Sequence, residues 1–181
     1  SIVLFDTFVK HTLASSEYNT RREECETGLA ALRQKFSIGT FREASLAMLD
    51  AASDSISGNV YNRCKYVIEE IARMEAACNH LLAGEIVGFG ARMYETHTGL
   101  SELYEVSCAE LDNIVQNCKK ENAIVGARMM GGGFGGCVIA LVQTTKVEEV
   151  FNRINNEYQN KFGRSMGKYL MQIGDGTRLL D

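Results

Sequence analysis

The sequence predicts an α+β fold: an antiparallel sheet with helices on one face and a helical insertion. Three observations carry this. Strand-like apolar runs stand near both ends of the 181 residues, so they must pair across whatever lies between. The middle holds apolar residues spaced by three and four, the period of helices. There is also no proline, where average usage of about 5% would give roughly nine, and a helix-rich chain tolerates few.

Residues 1–5 form the first strand. Helix-start residues near Ser15 and Ser16 open a segment that carries Cys25, Leu29, Leu32 and Phe36 on one face. Thr40 and Glu43 have the spacing of a capping box leading into residues 44–48. The strongest pattern follows. Val60, Cys64, Val67, Ile71, Met74, Cys78 and Leu81 form one apolar stripe, and Gly84 stands where a C-terminal cap belongs. Ile86, Phe89 and Met93 mark a further helix. Ser107 and Glu110 propose a second capping box, opening a helix that turns Leu111, Ile114, Val115 and Cys118 inward. Residues 127–130 and 137–142 are short β-like runs. Thr145 and Glu148 cap a helix bearing Val147, Val150, Phe151, Ile154, Tyr158 and Phe162, which Gly163 ends. Residues 168–173 make the last strand.

Composition narrows the function. Nineteen Lys and Arg against 23 Asp and Glu give a formal net charge of −4 without a basic block, which argues against a nucleic-acid surface. The longest apolar run is far short of the roughly 20 residues of a membrane helix, and no signal-peptide pattern opens the chain. The expectation is a soluble cytoplasmic protein, with neither nucleic acid nor membrane as partner. The first residue, Ser1, stands inside an apolar run and reads as a boundary within a longer protein. The six cysteines form no CxxC pair and read as reduced core thiols; neither a disulfide framework nor a metal site is expected.

Gly131, Gly132, Gly133, Phe134, Gly135 and Gly136 form the densest glycine segment. Clustered glycine implies backbone at positive φ or backbone approaching something closely. Successive unhindered N–H groups suit a phosphate nest. No Lys-Ser/Thr follows, and no strand–loop–helix with an acidic residue about 20 positions on is evident, so neither the Walker A loop nor the dinucleotide fingerprint is matched. A hairpin with a glycine-rich bulge is the bland alternative.

Residues 126–137, GARMMGGGFGGC, resemble the third signature motif of the galactokinases of the GHMP small-molecule kinase superfamily. Residues 10–26, KHTLASSEYNTRREECE, are similar to that family's K-H-x-L-x-x-S-E-Y-N-x-R-R-x-x-C-E run. Glu95-Thr96-His97 with Tyr104-Glu105-Val106-Ser107 resembles its E-S-H…Y-E-V-S stretch. The family's sugar-binding G-E-H-T-D-Y segment, its G-x-G-L-S-S-S phosphate loop and its catalytic Asp have no counterpart in these 181 residues. The resemblance therefore implies a GHMP-kinase C-terminal domain with a ferredoxin-like sheet over residues 1–181, and an N-terminal domain of the same polypeptide upstream. It further implies ATP-dependent phosphorylation of galactose with Mg²⁺, ATP and ion being held mainly by that other half. A sister kinase for a sugar such as N-acetylgalactosamine, or a sugar sensor without turnover, would share the pattern. Met130 stands where the family usually has Thr.

By its own pattern Tyr18 is a half-buried aromatic at a helix start; the resemblance puts it in the galactose pocket. The resemblance likewise makes the segment from Gly131 to Gly136 the support of the phosphate loop. Arg128, on the strand before it, reads as a supporter of the loop through backbone carbonyls, with a carboxylate of the other domain as the alternative partner. Arg21 and Arg22 point about 100° apart on a helix, so at least one is structural. His97 reads as a hydrogen-bonded helix-end residue, and Cys137 as a packed small residue in preference to an activated thiol. No catalytic residue is expected in this chain.

Overall fold

The computed structural model describes residues 1–10 and 14–176. Four strands, β1 (Ile2–Asp6), β2 (Ile124–Met129), β3 (Cys137–Val142) and β4 (Gly167–Met171), form one sheet in the order β2-β3-β1-β4, antiparallel throughout. The two terminal runs pair with each other: Ile2 stands opposite Met171 and Asp6 opposite Gly167. Alternation sets the faces. Val3, Phe5, Val138, Ala140 and Val142 point into the core. There they meet Leu111, Ile114, Val115 and Cys118 of α5 (Ala109–Cys118) and Val150, Ile154 and Tyr158 of α6 (Val147–Phe162).

Between β1 and β2 lies the helical insertion: α1 (Ala14–Lys35), α2 (Leu46–Ala52), α3 (Gly58–Leu82) and α4 (Ile86–Glu102). Leu49, Val60, Cys64 and Ile68 make a second small core that joins α2 to α3. The α4 helix lies along β2, and two glycines permit it. A Cβ on Gly90 would lie 2.2 Å from the Val125 carbonyl oxygen, and one on Gly126 would lie 2.4 Å from the Gly90 Cα. Helix and strand backbones touch here.

Several sequence expectations need correction. Only the first half of the α3 stripe is buried. Met74, Cys78 and Leu81 are exposed, because a 25-residue helix runs roughly 37 Å and outreaches α1 and α2. Glu43 does accept from the Thr40 N–H at 3.1 Å, but the box closes a 3₁₀ turn over Phe41–Glu43, and Ser45 caps α2. The α5 N-cap is Cys108 without a side-chain cap bond, since Ser107 donates its hydroxyl to Asp112 at 2.5 Å. Thr145 does not cap α6 either; a 3₁₀ turn over Thr144–Lys146 feeds that helix directly. All six thiols are free, yet only Cys64 and Cys118 are buried. His11, Thr12 and Leu13, inside the first family-like run, lie outside the described residues, and the side chains of Ser15 and Ser16 are not described. Among the described residues no helix is long and apolar enough to cross a membrane.

A methyl group at Gly126 has only backbone to meet. Gly126→Ala is expected to cost about 3 kcal/mol, in the range of overpacked cores, as read from the urea midpoint of the chain.

Candidate functional site around the glycine loop

The loop between β2 and β3 takes the positive-φ backbone its composition requires. Gly131 (φ +78°), Gly133 (+85°), Gly135 (+140°) and Gly136 (+80°) are all left-handed, as is Phe134 at +59°. These glycines serve two purposes. Gly133 and Gly135 are buried against backbone: a Cβ on Gly133 would lie 2.0 Å from the Val106 carbonyl oxygen, and one on Gly135 would lie 2.6 Å from that of Val9. Gly131 and Gly132 are exposed at the tip, where an added Cβ would meet nothing within 4 Å.

Three anchors fix the loop. At its entry, the Met129 N–H donates to His97 Nδ1 (3.2 Å). That bond puts the imidazole proton on Nε2, which faces Asp112 Oδ1 at 3.1 Å. Burial pushes the Asp112 carboxyl up, but hydrogen bonds from His97, Ser107 and Ser101 outweigh it and hold the group below its ordinary value. At mid-loop, the Phe134 N–H donates to the Val106 carbonyl at 2.8 Å. At the exit, the Gly136 carbonyl accepts from both the N–H (3.0 Å) and the hydroxyl (2.8 Å) of Thr7, whose own carbonyl accepts from the buried Tyr158 hydroxyl at 2.9 Å.

The mid-loop anchor stands on a charged cluster. Arg63 of α3 is 1% exposed. Its Nε donates to Glu24 (2.9 Å), one terminal nitrogen to the Leu103 carbonyl, and the other to the Glu105 carboxylate (2.7 Å). Arg21 of α1 donates to the carbonyls of Tyr104 (2.8 Å) and Glu105 (3.0 Å). Two guanidiniums thus take three consecutive carbonyls, and Glu105 sits at φ +54° to present them. The hydrogen bond from Arg63 holds the Glu105 carboxyl below the usual range.

The sequence-derived candidates distribute as follows. Tyr18 is 58% exposed and lines a groove with Arg22, Cys25, Phe41 and Tyr104. It does not line the loop, but both border the 104–106 turn. Arg21 is the structural member of its pair; Arg22 is exposed and bonded to Glu26 at 2.8 Å. Arg128 donates to the adjacent Met129 carbonyl at 3.0 Å, at the mouth of the loop. Met130 hydrogen-bonds through its backbone N–H to the Cys137 carbonyl (3.0 Å). Burial raises the Cys137 thiol, so it is not activated. Sequence reasoning missed Arg63, Thr7 and the seating role of Val106. Arg63 had a signal: a charge three residues after Val60 and four before Val67, on the edge of an apolar stripe.

Residues 74–160, from the end of α3 to α6, match the family model described as GHMP kinases C terminal. A galactokinase of Streptococcus thermophilus is 37% identical over 181 residues, covering 99% of this chain and 47% of the relative. A galactokinase of Homo sapiens is 36% identical over 180 residues, covering 99% of this chain and 44% of the relative. The crystal structure of Lactococcus lactis galactokinase complexed with galactose superposes with a TM-score of 0.92 at 32% identity, over 98% of this chain and 46% of that one. Nearly the whole chain is thus similar to one half of a galactokinase, and residues 74–160 match the GHMP kinase C-terminal model. The chain spans about half the length of the relatives it matches. Leishmania major mevalonate kinase (TM-score 0.51, 19% identity) shares the fold at greater distance. Within the family-model match lie the glycine loop, His97, Asp112 and the 103–106 turn; Tyr18, Arg21 and Arg63 lie outside it.

The anchored loop and the buried carboxylate each carry an expected outcome. Gly133→Ala should destabilise the chain by about 2–3 kcal/mol through strain and backbone overlap, whereas Gly132→Ala should change it by less than about 0.5 kcal/mol in urea unfolding. Asp112, with its lowered native value, adds stability above the unfolded carboxyl range near about 4 and loses it as pH falls through the native value. The stability gap between native chain and Asp112→Asn should therefore be widest above about pH 5 and close under acid, as measured by urea unfolding across pH.

Proposed function

We propose that this chain is the C-terminal half of a galactokinase, which transfers the γ-phosphoryl group of ATP to the anomeric hydroxyl of galactose. The observation that carries the reading is the match along nearly the whole chain to a galactokinase solved with galactose, with TM-score 0.92. Phosphoryl transfer needs positioning and charge neutralisation more than covalent chemistry. Within this chain the fixed glycine loop has an unhindered tip at Gly131 and Gly132, which lets backbone come close to a phosphate or to the loop that holds it. Gly133, Phe134, Gly135 and Gly136 hold that tip in place, and Arg128 supports its entry. Tyr18, at the rim of its groove, supplies a hydroxyl for the sugar.

ATP and Mg²⁺ are assigned mainly to the N-terminal half of the same polypeptide. The groups assigned to this chain are the backbone of the loop tip and the Tyr18 hydroxyl. The ion neutralises phosphate charge when bound. A cytoplasmic setting belongs to the same reading, in keeping with six free thiols.

The test uses the full-length kinase that carries this chain, with galactose 1-phosphate formation as the readout. Tyr18→Phe should raise KM for galactose by about fivefold to tenfold, the equivalent of one neutral hydrogen bond, with KM for ATP little changed. Gly132→Ala should lower kcat/KM for ATP by at least about tenfold at unchanged stability, because a methyl group there obstructs the approaching phosphate and nothing inside the domain. Full activity in both variants would remove this half of the site from the reading.

A further inference from the structure

We infer that Arg63, a residue in contact with neither proposed ligand, is the positioning residue of the glycine loop. The inference rests on the proposal that the loop serves phosphoryl transfer. Phe134 hangs from the Val106 carbonyl, and the space beside Gly133 is closed by that same oxygen. The placement of Val106 therefore sets the height and tilt of the loop. Val106 follows three residues whose carbonyls would otherwise repel one another, since all three turn toward one side. Arg63 takes the first of them and the Glu105 carboxylate; Arg21 takes the second and third. Glu24 accepts from Arg63 and approaches Arg21 at 3.5 Å, tying both guanidiniums to α1.

Of the two arginines, Arg63 is the one with reach. It links α1, α3 and the turn before α5 through a planar fork that a lysine cannot copy, because an ammonium is a single compact donor on a flexible stem. Its isolation from solvent keeps water from replacing a lost bond. The consequence is a long lever: a change at α3 moves the Val106 oxygen, and with it the loop, while the tip keeps its composition.

The experiment compares the full-length kinase with its Arg63→Lys, Glu105→Gln and Gly133→Ala variants, and with the Arg63→Lys/Gly133→Ala pair. Hydrogen exchange of the 130–137 segment is followed beside steady-state kinetics. In Arg63→Lys, exchange at the Phe134 amide should quicken by about tenfold or more while β1 and β3 keep their protection, and kcat/KM for ATP should fall about tenfold. Glu105→Gln, at a residue with a half-exposed side chain, keeps the chain folded and should give a smaller change in the same direction. If Arg63 acts through the loop, the double variant loses no more than about twofold beyond Gly133→Ala alone. Losses that multiply, or a Phe134 amide unmoved in both Arg63→Lys and Glu105→Gln, would overturn the inference. Failure of the underlying reading looks different: a folded Gly133→Ala enzyme with native ATP kinetics removes the loop from phosphoryl transfer, while exchange still decides whether Arg63 positions it.

Discussion

Three successive backbone carbonyls pointed at two buried guanidiniums are the constraint on which the site side of this domain depends. A lone buried cation would be costly, so Arg63 is tolerated only because Glu24, Glu105 and the Leu103 carbonyl surround it. The arrangement is reciprocal. The arginines need the carbonyls, and the carbonyls can face one way only with the arginines present and Glu105 in left-handed backbone. The turn this produces is the floor on which the glycine loop rests, and it also carries Tyr104 into the groove beside Tyr18.

The glycine loop is consequently tied down despite its composition. Six residues that would be floppy in isolation are held at entry by His97, at the middle by Val106 and at exit by Thr7. Each anchor belongs to a different part of the chain: α4, the turn after it, and the end of β1. That explains a fold in which the first strand is inserted between β3 and β4. It brings Thr7, 129 positions away in sequence, within hydrogen-bonding distance of Gly136. Within the loop, Gly131 and Gly132, at the exposed tip, have open space beside them.

Much of this was legible in the sequence because it rests on periodicity. The two terminal strands, the long helix with Gly84 behind it, and the inward face of α5 follow from spacing alone. The failures share a cause. Thr40, Ser107 and Thr145 each satisfy a capping pattern, but a hydroxyl has several possible partners. Ser107 chose Asp112, whose carboxylate was already committed to His97. The α3 stripe is exposed at Met74, Cys78 and Leu81, because a period reports which side of a helix is apolar and says nothing of where its neighbours stop. The site was half legible: the glycine run was visible, the division of labour within it was not. Gly132 and Gly133 are identical letters, and only the Val106 oxygen tells them apart.

The same division bears on how this fold tolerates change in sequence. The match to a mevalonate kinase at 19% identity shows that the architecture survives wide divergence in sequence. A sheet with helices on one face requires only alternation and helical period, and those are met by many residues. A loop seated on a carbonyl requires glycine at one position and an undistorted turn beneath it. Side chains at the groove rim, Tyr18 among them, are under neither demand. They can change without disturbing the core, the anchors or the turn. Side chains at the rim are therefore free to vary, while the geometry of the loop stays tied to buried backbone contacts that tolerate almost no change.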